Sequence, residues 1–125
     1  MAVQIVIADD EPHVVRSLSF VLQKEGFSVA VAVNGKEALE KIRGERPQVA
    51  FLDIVMPKMT GLELCHEIKS DPELKGIHII ILTCKGQELD RQSCLSAGAN
   101  EYMTKPFSPR EVVARVRELF GQGES

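Results

Sequence analysis

Two hydrophobic periods alternate along the chain. Nearly continuous apolar runs occur at VQIVIA (3–8), FSVAVAV (27–33), VAFLDI (49–54) and IHIIILT (77–83), with a weaker one at EYMT (101–104). Strands that are apolar at almost every position are covered on both faces, which predicts a parallel sheet. Between these runs the period changes to that of a helix. Val14, Val15, Leu18, Val21 and Leu22 form one stripe, and Ala38, Leu39 and Ile42 form a second after Gly35. Leu62, Leu64, Cys65 and Ile68 mark a third helix, and Leu89, Cys94 and Leu95 a fourth. The fifth has the clearest start, with Ser108 as N-cap, Pro109 in the first turn and Glu111 at the third position. Val112, Val113, Val116, Leu119 and Phe120 follow. Gly26, Gly44, Gly76 and Gly98 each follow a helical run, where a left-handed C-cap is expected. Glu37 and Lys41 stand four apart as a favourable pair.

Five strand-then-helix repeats without a linker predict one doubly wound α/β domain over 1–125, with a frayed tail at 121–125. A length of 125 residues, with 44% hydrophobic and 26% charged, suits a single buried core. The net charge of -3 argues against direct nucleic-acid binding by this chain. No apolar run reaches the roughly 20 residues of a membrane span, and no secretory signal opens the sequence, so the chain reads as cytoplasmic. Cys65, Cys84 and Cys94 lack metal or redox spacing and read as small apolar residues, and the three histidines as structural.

The acids change the picture. Ligands of open α/β sheets collect outside the carboxyl ends of the strands. Only five aspartates exist, and three of them fall at such ends: Asp9 and Asp10 after the first run and Asp53 at the third. Thr83 ends the fourth run, and Lys105 follows the fifth. One aspartate at a strand end is commonly a helix cap, and one Lys-Pro pair is commonly a loop. Five polar residues at the ends of the correct strands are harder to explain in that way. Converging carboxylates raise one another's pKa unless a cation compensates, and an all-oxygen set selects a hard ion, with Mg²⁺ the physiological candidate. An ammonium and a hydroxyl are the groups one would place around a phosphoryl oxygen, and a carboxylate such as Asp53 can be the nucleophile.

ADDE, LDIVMPKMTG, LT and YMTKPFSP, in this order and at these intervals, resemble the receiver domain of two-component response regulators, over essentially the full chain. The segment KPFSPREVVARVREL is similar to receivers attached to winged-helix transcription factors. The resemblance implies a flavodoxin-like sheet in the order 2-1-3-4-5. It implies that Asp53 accepts a phosphoryl group from a sensor histidine kinase or a histidine phosphotransfer protein. Asp10, Asp53 and the backbone carbonyl of Val55 would bind Mg²⁺, and Asp9 would act largely through water. Lys105 would pair with the phosphoryl group and Thr83 would move to bond it, with Tyr102 as the switch aromatic. Pro106 would follow a cis peptide bond. Glu11 is expected to belong to the start of the first helix, where negative charge is favourable.

The resemblance also implies a homodimer through the fourth helix, fifth strand and fifth helix, with Arg91–Glu111 and Glu101–Arg115 as pairs across a two-fold axis. Asn100 and Ala97 lack charges common in that subfamily. Cys84 is bulkier than the small residue many relatives carry, which would narrow donor access. Val55 and Lys85 flank the site and would tune the lifetime of the phosphoryl group. Three other readings fit less well. A haloacid-dehalogenase-like phosphatase would want an acid at position 55. A flavodoxin-like carrier would want a Ser/Thr/Gly-rich loop where DDEP stands. A degenerate receiver, acting as a phosphorylation-independent interaction module, would lack one of the site residues.

Overall fold

The computed structural model describes residues 3–84, 91–105 and 107–121, apart from the side chains of Cys84, Arg91 and Gln92. Five strands alternate with five helices: β1 (Ile5–Ala8), α1 (Pro12–Lys24), β2 (Val29–Ala32), α2 (Gly35–Glu45), β3 (Val49–Asp53), α3 (Gly61–Ser70), β4 (His78–Cys84), α4 (Arg91–Ser96), β5 (Glu101–Lys105) and α5 (Pro109–Leu119). The sheet is parallel throughout and runs β2-β1-β3-β4-β5, the order expected from the sequence.

Alternate residues of the central strands feed two apolar layers. Ile5, Ile7, Phe51, Ile80 and Leu82 pack with Leu18 and Leu22 of α1 and Val112 and Val116 of α5. Val6, Ala8, Leu52, Ile79 and Ile81 pack with Ile42 of α2, Leu64 and Ile68 of α3 and Cys94 of α4. This two-sided burial is why β1 and β3 have no polar alternation. β2 is shorter than its apolar run because it lies at the sheet edge. Its one neighbour, β1, supplies only four residues in register, from Ile5 opposite Val29 to Ala8 opposite Ala32.

Helix starts are well determined. Ser108 accepts from the Glu111 amide as predicted, and Asn34 caps α2 in the same way through the Glu37 amide. Thr60 and Glu63 form a reciprocal capping box that opens α3. Two of the four glycine caps hold: Gly26 and Gly98 both have φ of 96°. Gly44 instead lies inside α2, and Arg46 takes the left-handed turn with φ of 48°. Arg46 is held there by its amide bond to the Ile42 carbonyl and by its guanidinium on Glu73 at 2.9 Å. Gly76 does not take a positive φ, so it is no left-handed cap. Glu37 and Lys41 pair at 3.8 Å as expected.

A close backbone approach anchors the end of β3. Gly61 opens α3 against it, donating its amide to the Ile54 carbonyl at 2.9 Å. A Cβ there would lie 2.2 Å from the Asp53 carbonyl oxygen.

Candidate functional site

β1 leads outward to β2 on one side, whereas β3 leads to β4 on the other. The crevice between their carboxyl ends is therefore the switch point of the sheet. Among the described residues the buried polar or charged side chains are Asp9, Asp53, Thr83 and Lys105. All four stand at or just beyond the carboxyl ends of β1, β3, β4 and β5. Asp10 is exposed at the rim, and carboxylate oxygens of Asp9, Asp10 and Asp53 lie within 4.8 Å of one another.

Lys105 reaches across the crevice. Its Nζ is 2.7 Å from Asp9 Oδ2, 2.9 Å from Glu11 Oε1 and 3.5 Å from Asp53 Oδ1. Burial works against the ammonium, but the contacts with Asp9 and Glu11 and the charges of Asp9 and Asp53 hold its pKa above the ordinary lysine value. Asp9 Oδ1 accepts the Glu11 amide at 2.9 Å. Oδ2 is buried against the Lys105 ammonium, its partner in an ion pair. Burial, and then the neighbouring Asp9 charge, push the Asp53 carboxyl up to about 7, against the opposing pull of Lys105. A hydrogen bond with Asp9 adds to the rise, and one from the Val55 amide opposes it.

These features meet the requirements of a hard dication. The donors are all carboxylate oxygens, and their mutual repulsion is what a double positive charge would relieve. Around this centre, the Thr83 hydroxyl donates to the Met103 carbonyl at 3.5 Å, toward β5 rather than Asp53. Val55 is 54% exposed and Tyr102 40% exposed. Lys85 and Pro106 lie outside the described residues, as does the Cys84 side chain, so the expectations placed on them stay at the level of sequence. Cys65 and Cys94 are buried, and burial pushes the Cys65 thiol up to about 11, in keeping with an inert apolar role.

Two of the expected residues have partners that the sequence does not show. Glu11 is the N-cap residue of α1 but makes no side-chain cap bond; its carboxylate accepts from Lys105 instead. That bond, with burial opposing it, lowers the Glu11 pKa. Nothing in the local sequence reveals this, because the partner is 94 residues away. The second concerns Glu101 and Arg115, which are already paired within one chain. Arg115 Nε donates to Glu101 Oε1 at 3.0 Å and Nη2 to Oε2 at 2.7 Å, with His78 on the same carboxylate. Burial opposes the Glu101 charge, but the bonds from Arg115 and His78 bring its pKa below the ordinary range. Glu111 is exposed on α5, and the side chain of its suggested partner Arg91 lies outside the described residues. Asn100 clasps β4 by accepting the Ile79 amide at 2.8 Å.

A doubly wound sheet with an acidic switch point and a buried lysine facing it defines a class of signalling domain. Residues 5–117 match the response regulator receiver domain, and the chain belongs to that family of two-component signalling proteins. It is similar to the alkaline phosphatase synthesis transcriptional regulatory protein PhoP of Bacillus subtilis, with 40% identity over 121 residues. That match takes in 97% of this chain and 50% of PhoP, so the chain spans about half the length of this relative. A crystallised Chloroflexus aurantiacus protein assigned as a response regulator superposes with a TM-score of 0.88 at 33% identity, covering 97% of this chain and 99% of that one. The chemotaxis response regulator CheY4 of Vibrio cholerae gives 0.86 at 28% identity, covering 95% and 99%. Among the described residues no helix is long and apolar enough to cross a membrane.

Proposed function

We propose that Asp53 is the phosphoacceptor of this receiver domain, taking a phosphoryl group from the phosphohistidine of a sensor histidine kinase or a histidine phosphotransfer protein. The observation that carries this reading is the convergence of the buried polar side chains on one crevice. In the transfer an Asp53 carboxylate oxygen forms a bond to phosphorus as the phosphorus–nitrogen bond breaks. The bonding pair stays on the departing imidazole, and the product is an acyl phosphate. Asp10, Asp53 and the Val55 carbonyl would hold Mg²⁺, with Asp9 acting largely through water. Bound there, the ion would neutralise phosphoryl charge.

The chain's own groups supply the rest. Lys105 is charged and already within 3.5 Å of Asp53 Oδ1, so a small shift lets it bond a phosphoryl oxygen. Thr83 holds Met103 by a bond at the outer limit of length, so little is lost when its hydroxyl turns toward that oxygen. Tyr102, two residues before Thr104 on the same edge strand, is exposed and would move toward the space Thr83 leaves. The face of α4, β5 and α5 would thus change its population of conformers, and partner binding or dimerisation would read that change. The chain is a signalling domain that promotes its own phosphorylation and dephosphorylation, and the proposal includes no direct contact with nucleic acid.

Intact-mass measurement after acetyl phosphate with Mg²⁺ tests the assignment. Wild type should gain one phosphoryl group and Asp53→Asn none; an equal adduct on the variant, or none on either, would refute it. The exposed apolar Val55 offers an attacking water no hydrogen bond. Val55→Asn is expected to shorten the lifetime of the phosphorylated protein roughly 5-fold, the equivalent of one hydrogen bond of about 1 kcal/mol. Unchanged decay in a radiolabel chase would show that this position does not orient the water.

A further inference from the structure

On the reading of Asp53 as phosphoacceptor, we infer that Glu11 is a positioning residue that acts through Lys105. It draws the ammonium to the rim of the crevice and weakens its hold on a phosphoryl group at Asp53. The Glu11 carboxylate has no other structural duty among the described residues. Its side chain makes no bond to the start of α1, and the only other basic side chain paired with it among the described residues is the exposed His13, at 3.6 Å. Its backbone is fixed, because its amide is held by Asp9 Oδ1. The side chain, 40% exposed, therefore stands at a set place and receives Nζ at 2.9 Å, while Asp53 Oδ1 is left at 3.5 Å.

Asp9 and Glu11 divide the ammonium between them in the protein as it stands. A cation at the aspartates would make Asp9 a weaker partner for Lys105, since opposite charge on that carboxylate would already be met. Glu11 has no such competitor and keeps its claim. An ammonium has three donors, so it can contact Glu11 and a phosphoryl oxygen together. A carboxylate at 2.9 Å nevertheless offsets part of its charge, and the same carboxylate repels the phosphoryl group directly. Glu11 thereby sets how tightly the site grips its anion and how readily the anion leaves.

The experiment compares wild type, Glu11→Gln and Glu11→Asp, each checked first by thermal unfolding. Because no cap bond is lost, all three are expected to fold alike. Beryllofluoride is titrated calorimetrically at saturating Mg²⁺, and Mg²⁺ is titrated separately. Glu11→Gln should bind beryllofluoride about 3- to 10-fold more tightly and Mg²⁺ no more tightly, since a nearby negative charge has gone. A role confined to helix stability would not move the two ligands apart. Glu11→Asp keeps the charge and should return both affinities to within about 2-fold of wild type. In the metal-free protein, side-chain NMR relaxation should show a more mobile Lys105 ε-methylene in Glu11→Gln. Equal or weaker beryllofluoride binding by Glu11→Gln, with wild type binding normally, would overturn the role of Glu11 and leave the phosphoacceptor reading intact. Absence of binding by wild type itself would overturn both.

Discussion

Metal-free Asp53→Asn is expected to be more stable than wild type by about 2 kcal/mol at pH 8, with the gap closing toward pH 4. Asp53 is raised from an ordinary 3.8 to about 7, first by burial and then by the charge of Asp9. The folded protein therefore binds more protons than the unfolded chain between these values. Stability is fully present below 3.8 and is lost as pH rises through 7, where the buried carboxyl must ionise beside another carboxylate. Taken alone that displacement corresponds to about 4 kcal/mol; Asp9 and Lys105 adjust with Asp53, so about half is expected to be measurable. Asn carries no such penalty at any pH. Urea unfolding in chelator from pH 4 to 8 measures the gap directly. A pH-independent difference would mean that the aspartates do not repel as the geometry indicates. Adding Mg²⁺ should narrow the gap at pH 8, because the ion stabilises the wild type by mass action and finds a poorer site in the variant.

Gly61→Ala is expected to destabilise the domain by about 3 kcal/mol and to depress phosphoryl uptake in whatever remains folded. The added methyl would lie 2.2 Å from the Asp53 carbonyl oxygen, 2.8 Å from its carbonyl carbon and 3.0 Å from the Ile54 Cα. These are backbone atoms at the end of a fully buried strand, so no side chain can swing aside. Relief requires α3 to back away from β3, which moves the peptide that carries Asp53. Gly44→Ala serves as the contrast: nothing lies within 4 Å of its Cβ position, and it sits inside α2. That change should stabilise by about 0.5–1 kcal/mol through helix propensity alone. Chemical denaturation of the two variants side by side would show whether space or flexibility governs these glycines. Equal effects would refute the steric account.

The order of elements was readable because each central strand is apolar on both faces and each helix carries a stripe, so the period changes wherever the element changes. Asp9, Asp10, Asp53, Thr83 and Lys105 were readable for a related reason: a strand end is a position in sequence, and the sheet brings five such positions to one edge. What escaped depends on distances between segments remote in the chain. Glu11 stands at the start of α1 as expected, but its side-chain partner could not be read, because Lys105 lies on β5. Gly44 and Arg46 exchanged places because a left-handed turn depends on where the carbonyls of α2 run out, and composition does not mark that residue. The bond from the Ile79 amide to Asn100, just before β5, is likewise visible only in the sheet.

The closed clasp of Glu101 by Arg115 has a consequence for any pairing of two copies through the same edge. Each guanidinium would have to leave one carboxylate before taking another of the same kind, so the number of ion pairs before and after would be equal. Such an exchange contributes orientation and selectivity between like faces, while leaving the strength of association to the apolar surface around it. Were two copies to pair there, the face would accept its own kind by reciprocity and give a partner lacking the matching pair nothing to trade.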